Sequence, residues 1–142
     1  MASKIGTSQN PVLSQSGQPA KPSTPIVVKS AASFTVLAEE SGCTYVLPAA
    51  GVARVITLPP VTDAAGCSWR FVMAAAAGST WTVTSPSAVL KGTIILDGGI
   101  APTQVSTIQF TADALAGDWI EVSSSGALYL ARGSSSHAGG IA

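Results

Sequence analysis

In the segment Cys67-Ser68-Trp69-Arg70-Phe71-Val72-Met73 the chain changes character at every step. Cys67, Trp69, Phe71 and Met73 share one side of an extended backbone, and Ser68, Arg70 and Val72 share the other. The same period of two runs through 33–37, 43–47, 54–58, 80–84, 93–96, 104–111, 118–123 and 127–131. Turn-forming stretches separate these segments: Pro48-Ala49-Ala50-Gly51, Pro59-Pro60, Ala77-Gly78-Ser79, Ser85-Pro86-Ser87, Asp97-Gly98-Gly99 and Ser124-Ser125-Gly126. Many short strands rich in Thr, Val and Ile predict an all-β fold, a compact antiparallel β-sandwich or barrel-like domain over residues 33–132. The Ala-rich pieces at 74–77 and 112–116 have room for one helical turn each, too little to change the class.

Residues 1–32 read differently. Asn10-Pro11, Gln18-Pro19, Lys21-Pro22 and Thr24-Pro25 each remove a backbone donor and disfavour helix in the residue before. Ser, Gln and Thr fill the gaps, so an extended arm with polyproline character is expected to precede the domain. Its sparse apolar residues, Ile5, Val12, Leu13, Ile26, Val27 and Val28, are the candidate anchors to a partner. Residues 133–142 read as a Gly/Ser-rich tail.

The chain is 46% hydrophobic, yet only 10% of it is charged and its formal net charge is zero. An average chain is charged at roughly 25% of its positions. So sparsely charged a monomer has little to keep it from its neighbours. An ordinary soluble domain with a Ser/Thr surface is the simpler alternative. The preferred expectation is a subunit that buries its surface against copies of itself or a larger assembly. The basic residues are scattered from Lys4 to Arg132 and form no phosphate-binding patch, which argues against nucleic acid as a partner. No apolar run approaches the length of a membrane span. The opening Met1-Ala2-Ser3-Lys4-Ile5-Gly6-Thr7-Ser8 lacks the apolar core of a secretory signal.

Residues suited to catalysis are few. His137, the only histidine, falls in the glycine-rich tail, where an imidazole is not held against a nucleophile. Asp63, Asp97 and Asp113 read as turn formers, and Glu121 as a structural partner for Arg54 or Arg70. Cys43 and Cys67 open strands. Two free thiols are expected, with a cross-strand disulfide as the alternative, and two Cys with one distant His match no zinc pattern. Trp69, Trp81 and Trp119 are expected in the core. No catalytic, cofactor-binding or metal site is expected. Asp63-Ala64-Ala65-Gly66 echoes Asp113-Ala114-Leu115-Ala116-Gly117, a small-residue turn feeding a strand in both cases.

Residues 57–72, Thr-Leu-Pro-Pro-Val-Thr-Asp-Ala-Ala-Gly-Cys-Ser-Trp-Arg-Phe-Val, resemble a pattern of tailed-phage and related viral structural proteins. In that pattern a Thr-Leu-Pro strand end leads through a loop and Gly into an aromatic-x-Phe strand. Val89-Leu90-Lys91-Gly92-Thr93-Ile94, Gly117-Asp118-Trp119-Ile120-Glu121-Val122 and Gly126-Ala127-Leu128-Tyr129-Leu130-Ala131-Arg132-Gly133 are similar in the same way, so the likeness covers about residues 43–141. The resemblance implies a non-enzymatic virion protein, a capsid decoration or cement protein made in the host cytoplasm and carried on the capsid surface. It implies a homotrimer whose partners are its own copies and the major capsid protein or other virion subunits. A receptor-binding tail-fibre or head-fibre tip that recognises a host glycan is the alternative.

Overall fold

The computed structural model describes residues 24–86, 90–96 and 99–142. Its strands are β1 (Ile26–Val28), β2 (Phe34–Thr35), β3 (Thr44–Leu47), β4 (Arg54–Thr57), β5 (Ser68–Met73), β6 (Trp81–Thr84), β7 (Leu90–Leu96), β8 (Gly99–Val105), β9 (Thr107–Phe110), β10 (Trp119–Ser124) and β11 (Tyr129–Ser134). Single 3-10 turns lie at Ala38–Glu40 and Val61–Ala64, and no helix forms at 74–77 or 112–116. The strands make two sheets, one ordered β1-β3-β5-β10-β11-β7-β8 and one ordered β2-β4-β6-β9. The fold is all-β, as the alternation requires.

Up to β6 the chain crosses from one sheet to the other at every strand, so it winds as a flattened coil. Each strand lies beside the strand two places earlier and runs the same way: β3 on β1, β5 on β3, β4 on β2 and β6 on β4. β11 and β7 are parallel too, so five of the nine strand pairs among the described residues are parallel. This corrects the antiparallel expectation. Alternation reports which face a side chain takes and is silent on strand direction. A chain that visits the opposite sheet between neighbours returns in the same direction, whereas a hairpin does not. The direction reverses only later, where β9 pairs with β6, β10 with β5, β11 with β10 and β8 with β7.

The inner faces of the two sheets meet in a core of Tyr45, Leu47, Ile56, Trp69, Phe71, Met73, Trp81, Val83, Phe110, Ile120, Val122 and Tyr129. Tyr45 and Phe71 are register partners and stack with ring centroids 5.5 Å apart. Each large polar aromatic in this core ends on a polar group supplied by a loop. The Trp69 indole donates to the Leu37 carbonyl (3.2 Å) and the Trp81 indole to the Pro48 carbonyl (3.0 Å). The Tyr129 hydroxyl donates to the Pro59 carbonyl (2.6 Å) and the Tyr45 hydroxyl to a Glu40 carboxylate oxygen (2.8 Å). Burial pushes the Tyr129 phenol up to about 12, and burial with the adjoining Glu40 carboxylate raises that of Tyr45 further. These bonds satisfy buried polar atoms and fasten the loops to the core.

The two echoing turns are structural counterparts. Gly66 and Gly117 both take positive φ, 79° and 94°, and Ala64 and Ala114 are both buried. At one end of the β5–β10 pair, Gly66 donates to the Ser124 carbonyl and Ser124 donates to the Cys67 carbonyl. At the other end, Gly117 donates to the Met73 carbonyl and Met73 donates to the Asp118 carbonyl. The tryptophans do not correspond. Trp69 is buried, while Trp119 is half-buried on the outer face, so the expectation that all three tryptophans are core residues is corrected for Trp119. It is one residue out of phase with buried Ile120 and Val122.

Both ends of the domain reach past residues 33 and 132. Ile26, Val27 and Val28 form β1, with Val27 packed against the core and its two neighbours exposed. Ile5, Val12 and Leu13 lie outside the described residues. In the stretch expected as a tail, Gly133 and Ser134 complete β11, and Ile141 is buried in a bridge to Phe110.

Candidate functional site

The outer face of the seven-stranded sheet presents three cross-strand rows. One runs Val28, Val46, Val72, Trp119, Ser134, Ile95, and the next runs Ile26, Thr44, Arg70, Glu121, Arg132, Thr93. Ser68, Ser123, Leu130 and Lys91 make the third. Eight large apolar side chains among the described residues are well exposed, and four of them, Ile26, Val28, Ile95 and Leu130, stand on this face. Val28 is 77% exposed and Ile26 69%. β1, which carries both, is also an edge strand with one side of its backbone unpaired by any strand among the described residues.

Charge on this face centres on Glu121. The Arg132 guanidinium bonds its carboxylate at 2.6 Å. Arg70 stands opposite Glu121 on the other side but lays its guanidinium over the Trp119 ring, 4.3 Å from the centroid. No acceptor meets the buried Arg70 Nε among the described residues. Arg54, the other expected partner of Glu121, belongs to β4 in the other sheet. Shallow grooves flank the Glu121 row. One of about 340 Å³ is lined by Thr24, Ile26, Thr44, Ser68, Arg70 and Glu121. The other, about 360 Å³, is lined by Glu121, Ser123, Leu130, Ala131 and Arg132.

Comparison with protein-family models, with curated proteins and with solved structures returned no match.

A second polar cluster surrounds Asp118, whose side chain is almost fully buried at 2% exposure. Its carboxylate accepts from the Leu115 and Ser136 amides (2.9 and 2.8 Å) and from the Ser135 and Ser136 hydroxyls (2.7 and 3.0 Å). Burial pushes the carboxyl up, but these four donors outweigh it and hold the group below its ordinary value. Ser135, Asp118 and His137 are thus neighbours without the geometry of a nucleophile and its base. The Ser135 hydroxyl donates to the carboxylate, and His137 Nδ1 accepts from the Gly139 amide (3.1 Å). The cluster closes the chain end onto the domain. Gly140 packs so tightly here that a β-carbon would run into Ser135 Oγ and Asp118 Oδ2.

Cys43 and Cys67 are both free, with the Cys67 thiol donating to the Ala38 carbonyl at 3.6 Å. Among the described residues no three His, Cys, Asp or Glu side chains are grouped to hold a metal ion. No helix of the described chain is long and apolar enough to cross a membrane. The outer face escaped the sequence reading because Arg70, the Trp119–Glu121 pair and Arg132 belong to three separate strands. The one available signal was that Trp119 and Glu121 share a parity opposite to Ile120 and Val122.

Proposed function

We propose that this chain is a structural subunit of a virus particle, a decoration or cement protein that attaches to the capsid surface and works by association. The observation that carries this reading is the gathering of half the exposed large apolar side chains onto one sheet face, in a chain with few charges. Such a face loses water on contact with a partner, and the Arg70–Glu121–Arg132 row gives that contact a register. The phage-like texture of residues 57–72 and 117–133 supports the same reading. Mass spectrometry of particles purified from the source that expresses the chain should find it in fixed ratio to the capsid protein. Its absence from such particles sinks the reading. Val28→Asp with Leu130→Asp in the full chain should leave the fold intact by circular dichroism and abolish attachment.

Trp119 favours a second reading, a fibre tip that binds a host glycan. Its half-buried indole lies under the Arg70 guanidinium, and Arg70 and Glu121 also line the adjoining groove with Thr44 and Ser68; if Arg70 swings away, a sugar can stack on the ring and hydrogen-bond in that groove. A glycan array probed with the full chain separates the two, since a cement protein gives no saturable signal.

A further inference from the structure

β1 ends the seven-stranded sheet, and the backbone groups along its free edge are identifiable. The Pro25 carbonyl accepts from the Thr44 amide (2.8 Å), and the Lys29 amide donates to the Val46 carbonyl (2.9 Å). Backbone groups alternate between the two sides of a strand, so Pro25, Val27 and Lys29 face β3 while Ile26 and Val28 face away. No strand among the described residues takes the amides and carbonyls of Ile26 and Val28. Both also carry exposed apolar side chains, whereas Val27 packs against the core. Such an edge is a template for any extended chain unless charge, proline or a covering segment guards it. Lys29 follows β1, but its ammonium lies over the Phe34 ring, 4.1 Å from the centroid.

We infer that residues 12–14 of the same chain take this edge as an antiparallel strand, with Val12 opposite Val28 and Ser14 opposite Ile26. This pairing is independent of the virion reading. Residues 1–23 lie outside the described residues, and that length of chain joins the domain at Thr24, beside β1. A tether this short holds the segment at the edge at an effective concentration of about a millimolar, which favours it over a partner that must diffuse in. Backbone chemistry selects the register. The residues opposite Ile26 and Val28 must each donate and accept, and Ser14 and Val12 do both. A register shifted by one would put Pro11 opposite Val28, with no N–H for the Val28 carbonyl. In the register given, Pro11 faces away from β1 and blunts the new edge. Opposed side chains share a face, so Val12 joins Val28 on the outer side and Leu13 joins Val27 toward the core. Gly17, Pro19 and Pro22 lie between Ser14 and Ile26, where the chain turns back.

Amide hydrogen exchange on the full chain, read residue by residue by NMR, tests this. The Ile26 and Val28 amides should exchange at least ~10-fold more slowly than in an unstructured peptide. Val12→Pro with Ser14→Pro removes both incoming donors and should speed the two amides at least ~10-fold. Ser16→Pro lies outside the pairing and should leave them protected. The Lys29 amide, bonded to Val46, should keep its protection in every variant and so reports that β1 itself is in place. Ile26 and Val28 amides that exchange as fast as the peptide overturn the inference. So does protection that survives the double proline change. Protection that rises with protein concentration assigns the added strand to another copy, and that also overturns it. The presence of the chain on particles is a separate measurement, and none of these outcomes alters it.

Discussion

Asp118 places a carboxylate among the last residues of the chain, and four donors make it acceptable there. A group whose folded pKa is depressed stabilises the fold above its unfolded pKa, and that stability is lost as pH falls through the folded value. Stability should therefore hold at neutral pH and decline below the ordinary carboxyl value of 3.8. Asp118→Asn puts an amide donor against the Ser136 donors and should cost about 2 kcal/mol at pH 7. Urea unfolding across pH checks both points, with a flatter acid limb in the variant. The tryptophans separate at the same scale. Trp69 and Trp81 are buried with their indole nitrogens bonded, and Trp119 lies outside under Arg70. Acrylamide should quench one component of the fluorescence, and Trp119→Phe should remove that component. Trp69→Ala should cost about 3–5 kcal/mol, and Trp119→Ala far less.

At the scale of elements, the final segment behaves as part of the smaller sheet. Gln109 and Ala142 exchange backbone hydrogen bonds (2.8 and 2.9 Å), Thr111 donates to Gly140, and Ile141 fills a place beside Phe110. Removing residues 138–142 strips these partners from β9 and exposes Phe110. The expected loss is about 2–5 kcal/mol by thermal or urea unfolding. Hydrogen exchange at Gln109 and Thr111 should speed up in the truncated chain, and unchanged exchange there would contradict the docking. Sequence reading missed this segment because Gly133-Ser134-Ser135-Ser136-His137-Ala138-Gly139-Gly140 carries the composition of a loose tail. Its order comes from Asp118, distant along the chain, and from a space that only glycine fits at position 140. The strand at Gly99–Val105 was missed for a related reason. Gly, Ala and Pro are poor strand formers, and this stretch is held by continuous pairing along β7.

For the whole molecule, the winding between sheets means that neighbouring strands are far apart in sequence. Ile26 pairs with Thr44, Thr44 with Arg70, and Arg54 with Trp81. Loop closure must precede each such pairing, so folding should be slow for the chain's size. Stopped-flow refolding should give times on the order of a tenth of a second or longer, and sub-millisecond folding would contradict the topology.

The amino-acid sequence by itself determined that the domain is all-β, where most strands begin, and which residues of a strand share a side. These follow from alternation and turn chemistry, which act within a few residues. Strand direction, the two-sheet coil, the seating of residues 135–142, and the choice of Arg132 to bond Glu121 while Arg70 turns onto Trp119 were decided only by tertiary structure. Each of them joins residues that no local pattern relates. The absence of a catalytic constellation from the sequence reading also changes in meaning. Ser135, Asp118 and His137 do come together, and the hydrogen-bond directions among them make a fastening for the chain end.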